Sequence, residues 1–193
     1  WAVPQAPVEV LWDPDAWEDP ASWVVPDLEG TTATAVVVER RDRIWIAVAG
    51  VGLVRWDVNG RDAGETDPLT WSDTSDDDVS VPLLLPQVAD FGAIAALAWD
   101  RQGRIWAGGN RLVRFRPLVD ESDATTVVTA GEVAVYEMKQ NTFIEGLLSD
   151  AVVDLAFDGT GDLWVLTAAG LNRIRLSAGD QASIDAWTDL ATF

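Results

Sequence analysis

The side chains able to do chemistry in this chain are carboxylates, arginines and tryptophans. Its 193 residues include 32 Asp+Glu, 13 Lys+Arg, 11 Trp and a single Tyr, with no Cys and no His. Thiolate nucleophiles, disulfides, Cys/His zinc sites and every mechanism that turns on an imidazole are therefore excluded. Two carboxylates flanking a glycosidic bond could still hydrolyse it. No spacing in the chain pairs them, however, and Tyr136 falls on a segment expected to be an outer strand. No catalytic residue is assigned, and the chain is not expected to be an enzyme.

Metal chemistry has one candidate. Asp73, Asp76, Asp77 and Asp78 supply hard oxygen atoms of the kind that suit Ca²⁺. The run lacks the Gly and the closing Glu of an EF-hand loop, and an Asp run is most often a solvated surface. Calcium is the one cofactor suggested, and otherwise none is expected. Asp158-Gly-Thr-Gly-Asp162 has the look of a metal loop too, but reads as a turn.

For ligand binding, Trp45, Trp106 and Trp164 could stack on sugar faces, since indole offers a large flat apolar area with one donor. Their fixed place after a repeated turn favours packing between structural units instead, and Trp56 and Trp99 read the same way. Trp12, Trp17, Trp23 and Trp71 lie outside the hairpins and are expected at surfaces or loops. Arg55, Arg114 and Arg173 recur at intervals of 59 residues. They could form an anion-binding ring, but a residue repeated in every unit generally serves the unit, here by pairing with a carboxylate or loop carbonyl. Arg101, Arg104, Arg111, Arg114 and Arg116 make one region locally basic, and an acidic neighbouring unit is their expected partner.

These residues are positioned by an internal repeat, found by laying the chain on itself. Residues 33–58, 94–117 and 152–176 align. An acid stands six before a Trp in each: Glu39 and Trp45, Asp100 and Trp106, Asp158 and Trp164. Three before the Trp stands Asp42, Gly103 or Gly161, a residue type suited to a tight hairpin. Upstream, Val36 and Val38, Leu97 and Trp99, and Leu155 and Phe157 alternate with the period of a strand. A third strand follows each Trp, and a fourth is expected at Leu69-Thr70-Trp71, at Val133-Ala134-Val135-Tyr136 and at Ile184-Asp185-Ala186-Trp187.

Four strands per repeat make a propeller blade, so the expected fold is all-β: a partial β-propeller of about three four-stranded antiparallel blades. Because closed propellers have four to eight blades, the chain is expected to be an excerpt of a larger propeller or to complete a ring as an oligomer. Residues 31–75 form blade 1, 93–140 blade 2 and 141–193 blade 3. Residues 1–30 are expected to be irregular, with the outer strand of a preceding blade near Trp23. The repeat Trp residues stand 61 and 58 apart, longer than a compact blade of roughly 40–50 residues. The excess is assigned to an acidic loop at 76–92 and an insertion at 119–131, and a specific site, if present, is expected there or in the run from Asp73.

The net charge of −19 sets nucleic acid and acidic membranes aside as partners. The sequence starts at Trp1 without a basic, apolar leader, so a targeting peptide is expected to have been removed or not included. No stretch is apolar enough to insert in a membrane.

The run from Asp158 to Arg173, acidic-x-x-Gly-x-Leu-Trp-x-x-Thr-x-x-Gly-Leu-Asn-Arg, resembles the two-component-regulator propeller repeat. The other two copies depart from it, with Asp42 in place of Gly and with Gly52-Leu53-Val54-Arg55 or Asn110-Arg111-Leu112-Val113-Arg114 at its end. The resemblance covers about half the chain. It implies blades of a sensor propeller from the extracytoplasmic half of bacterial hybrid histidine kinases, some of which recognise oligosaccharides. The sialidase Asp-box is a poorer match, since the acid sits one place early and the Ser is absent. The resemblance thus implies an extracellular or periplasmic, non-enzymatic module that binds a glycan or a protein, with further blades in the same or another chain as partners. Two alternatives stay open: a propeller hydrolase or lyase whose active site lies on other blades, and a purely structural scaffold.

Overall fold

The computed structural model describes residues 10–11, 23–24, 32–40, 43–57, 78–80, 83, 93–120, 127–136, 146–176 and 183–187. All regular structure among them is β. They fall in two compact units, residues 1–84 with 119–129, and residues 85–118 with 130–193.

The first unit opens with two short strands, β1 (Val10–Leu11) and β2 (Trp23–Val24), paired antiparallel with Val10 opposite Val24. The strand expected near Trp23 is thus present, and its partner is a segment of the same chain. A four-stranded sheet follows in the order β3 (Ala33–Arg40), β4 (Arg43–Val48), β5 (Gly52–Asp57), β6 (Asp78–Val79). Strands β4 and β5 are buried on both faces, which is why β4 reads as an apolar run after Arg43 and does not alternate, while β5 buries the Arg55–Asp57 ion pair among Leu53, Val54 and Trp56. Ile44, Ile46, Val48, Val54 and Trp56 form the cluster on one face, and Trp45, Ala47 and Leu53 are buried on the other. On β3, Val36 and Val38 stay exposed, at 53% and 58%.

The fourth strand of this sheet corrects the expected boundaries. It lies at Asp78–Val79, inside the stretch assigned to an acidic loop, while Leu69-Thr70-Trp71 lies outside the described residues. Backbone pairing decides this edge: Ser80 N donates to Arg55 O at 2.9 Å, and Ser80 Oγ accepts from Arg55 N at 2.9 Å. An edge strand needs only N–H and C=O groups facing its neighbour, so an acidic segment serves as well as an apolar one.

Two more sheets follow along the chain. One runs β10 (Val127–Tyr136), β9 (Leu112–Asp120), β8 (Ile105–Gly108), β7 (Ala96–Trp99); the other runs β11 (Val152–Phe157), β12 (Leu163–Thr167), β13 (Gly170–Arg175), β14 (Ser183–Trp187). The insertion expected as a surface loop at 119–131 is in large part strand, because β9 continues to Asp120 and β10 begins at Val127. The alternating, β-branched sequence of β10 favours that extension. Each of the three large sheets is a four-stranded antiparallel meander, the blade unit of a β-propeller.

Blades 2 and 3 stack face to face. Ala96, Ala98, Trp106 and Leu112 of blade 2 pack on Val152, Leu155, Leu163, Val165 and Ile174 of blade 3 in one core. The approach is closest where Gly108 faces Val152: a Cβ on Gly108 would overlap the Val152 side chain. Val152 N donates to Gly109 O at 2.8 Å beside this point, tying the two blades by their backbones.

Candidate binding cleft

The repeated acid and Trp of each blade form one recurring bond. Trp45 Nε1 donates to Glu39 Oε2 at 2.8 Å, Trp106 Nε1 to Asp100 Oδ2 at 3.0 Å, and Trp164 Nε1 to Asp158 Oδ2 at 3.0 Å. In blade 2 the same carboxylate also ties its turn: Asp100 Oδ1 accepts from Gln102 N and Arg104 N, both at 2.9 Å, and Oδ2 from Arg104 Nε at 2.7 Å. In blade 3, Asp158 Oδ1 accepts from Thr160 N at 2.9 Å, Thr160 Oγ1 at 2.6 Å and Asp162 N at 3.0 Å. Gly103 and Gly161 supply the positive φ, 75° and 91°, that these turns require. Asp42, at the matching place in blade 1, lies outside the described residues.

Charge follows from these bonds. For Asp100, burial pushes the carboxyl pKa up, but donation from Trp106 and Arg104 outweighs it and holds the group below the ordinary value of 3.8. Asp158 is lowered further, by the hydrogen bonds from Thr160 first and Trp164 second. Both carboxylates are consumed as turn caps, a poor state for a general acid.

The repeated arginines stand directly across the second hairpin from the tryptophans: Arg55 opposite Trp45, Arg114 opposite Trp106, Arg173 opposite Trp164. Arg55 pairs with Asp57 at 2.9 Å, and Arg173 pairs with Asp162 at 2.7 Å. The Arg114 and Arg173 guanidiniums lie 5.6 and 5.4 Å from the indole centroids of Trp106 and Trp164. The three arginines are therefore engaged within their own blades. Trp45, Trp56 and Trp106 are fully buried, whereas Trp164 is half-buried. Tyr136 packs on Trp106, with ring centroids 5.2 Å apart.

The rest of the Asp158–Arg173 motif is likewise occupied. Thr167 Oγ1 donates to Gly170 O at 2.9 Å and closes the hairpin between β12 and β13. Asn172, fully buried, accepts from Leu148 N at 3.1 Å and donates to Gly146 O at 3.4 Å.

Between the turns of blades 2 and 3 lies a cleft of about 280 Å³. Its apolar wall is Trp99, Phe157 and Leu176, and its polar groups come from Arg101, Gln102, Arg104 and Thr160, with Asp100, Asp158 and Gly161 behind them. Trp99 and Phe157 are half-buried, while Arg101, Gln102 and Thr160 are exposed. Arg101 Nη2 donates to Gly159 O across the cleft at 3.2 Å. Arg116 Nη1 donates to Gln102 O at 2.8 Å and its Nε to Glu132 at 3.2 Å, so it steadies the rim from behind. The cleft thus sets aromatic surface beside the exposed Arg101 and Gln102 side chains, while the Thr160 hydroxyl is already donated to Asp158.

Sequence reasoning did not find this cleft. Its rim is written at the two positions after the repeat acids of blades 2 and 3, Arg101-Gln102 and Gly159-Thr160, which differ between these blades while the Asp, the turn glycine and the Trp stay the same. That contrast was the available signal. The expected basic cluster is placed mainly against its own blade, with Arg104 on Asp100 and Arg116 on Glu132. Of the candidate calcium ligands, Asp73, Asp76 and Asp77 lie outside the described residues, and Asp78 pairs in the ladder opposite Asp57. Among the described residues no three acidic groups are gathered to hold a metal, and no helix is long and apolar enough to cross a membrane.

No family model matches the chain, and no curated protein does. Solved structures similar to it include two of the extracellular domain of BT4673 from B. thetaiotaomicron, described as a one component system in one case and a hybrid two component system in the other. Each is 16% identical; the TM-scores are 0.35 and 0.36, over 76% and 75% of this chain and 23% and 22% of those. The chain thus spans less than a quarter of the length of these structures.

Proposed function

We propose that the chain is a non-enzymatic binding module of an extracytoplasmic bacterial sensor or surface protein, and that the cleft between the blade 2 and blade 3 turns holds a glycan. The observation that carries this reading is Trp99: a half-buried indole beside the exposed side chains of Arg101 and Gln102. A pyranose presents an apolar face and a hydroxyl rim, which match such a wall and such donors. The reading needs no cofactor and no catalytic step, since both cleft carboxylates already cap their turns.

The experiment is calorimetry of the chain and of Trp99→Ala against a panel of oligosaccharides, with reducing ends assayed in parallel. Binding that Trp99→Ala weakens about tenfold or more, without release of reducing ends, supports the reading. Turnover of any glycan would move the chain to the hydrolase alternative. Absence of binding across the panel would leave the scaffold reading.

Further blades, from this or another chain, are the proposed partners of the remaining apolar sheet surface, where Val36, Val38 and Val153 are 53%, 58% and 52% exposed. A solution mass tests this for the isolated chain: association that Val38→Glu abolishes supports such a contact, and a monomer that shows no dye-accessible apolar surface counts against it.

A further inference from the structure

The two sides of the cleft differ in what they leave open. Every oxygen of Asp100 and Asp158 is engaged by a turn N–H, a hydroxyl, an indole or a guanidinium, and Arg104 is itself committed to Asp100 at 2.7 Å. Arg101 is not committed in this way. It is exposed, and among the described residues its one hydrogen bond is to the carbonyl of Gly159 at 3.2 Å and no carboxylate lies within ion-pair distance of it. In a protein of net charge −19, an arginine that pairs with no carboxylate among the described residues, at the mouth of a cleft, is a local exception.

From this we infer that the cleft takes an acidic saccharide, a uronic acid unit whose carboxylate pairs with Arg101 while its ring lies on Trp99. The inference rests on the glycan reading of the same cleft. A guanidinium offers five N–H donors in a planar fork, and the carbonyl of Gly159 uses one. The remainder match a carboxylate in two-point fashion, which a neutral hydroxymethyl group at the same ring position cannot do. The two carboxylates of the cleft lining do not forbid this, because Asp100 is paired with Arg104 at 2.7 Å and Asp158 with Arg173 at 3.6 Å, and charge beyond about 8 Å is screened at physiological salt.

The test is titration calorimetry with oligogalacturonate and with its methyl ester, which keeps the ring and removes the charge, on the wild-type chain, Arg101→Ala and Arg101→Lys. The expected result is binding of the acid form, weakened at least about tenfold by esterification and by Arg101→Ala, with Arg101→Lys in between. The melting temperature of Arg101→Ala should stay close to wild type, since its side chain is exposed. Equal binding of acid and ester, or indifference to Arg101→Ala, overturns the acidic-ligand inference and leaves the glycan reading standing. Binding of neither form, with neutral oligosaccharides still bound, also overturns it. Failure of every saccharide overturns both.

Discussion

The Trp106 indole donates to the carboxylate of Asp100 at 3.0 Å, and the same oxygen receives Arg104 Nε at 2.7 Å. An acid six residues before a Trp is thus the anchor of a buried four-donor network that sets the blade 2 hairpin. Asp100, Arg104 and Trp106 are 4%, 6% and 0% exposed, so the network is shielded from water.

Replacing Asp100 by Ala should therefore be costly. The substitution leaves the Arg104 charge and the Trp106 N–H buried without their acceptor, a loss of about 3–5 kcal/mol. Thermal unfolding followed by circular dichroism should show a fall of roughly 6–20 °C. A variant within a degree or two of wild type would contradict the role given to this carboxylate.

Acid should erase part of the advantage of the network. Asp100 and Asp158 have folded-state values below the ordinary 3.8, so their contribution is complete above that pH and is lost as pH falls below it toward the folded values. The gap in melting temperature between wild type and Asp158→Asn should be constant from pH 7 to about 5 and should shrink below about 4. A gap unchanged down to pH 2.5 or so would speak against it.

Gly108→Ala addresses the stacking of blade 3 on blade 2. Its added Cβ would overlap Val152, the side chain that fills the seam. Overpacking of this kind costs about 1–3 kcal/mol. Pairing it with Val152→Ala should restore much of the loss, and a double variant that melts below both singles would show that the two residues do not share this contact.

Asn172→Ala tests the motif residue most easily mistaken for a ligand contact. Removing its side chain leaves the Leu148 N–H without its acceptor, for a loss of about 1–3 kcal/mol. Saccharide binding at the cleft should be unchanged once the protein is folded. Reduced affinity with unchanged melting temperature would assign Asn172 to binding instead.

What the sequence by itself determined is the blade. The acid, the turn residue, the Trp and the alternating apolar positions act within a single hairpin, so their periodicity shows through in each copy. The outer strands that lie close behind it, Val133–Tyr136 within β10 and Ile184–Trp187 within β14, were legible for the same reason. The edge strand at Asp78–Val79 and the strand extensions at 119–131 were not, because main-chain pairing places them and every residue but Pro carries the same main-chain donor and acceptor. Nor could the cleft be read from one hairpin. Trp99 and Arg101 meet Phe157 and Thr160 only because Gly108 lets blade 3 close upon blade 2, bringing together two turns that lie 58 residues apart in the chain. That approach is a property of packed faces, and only the tertiary structure decides it.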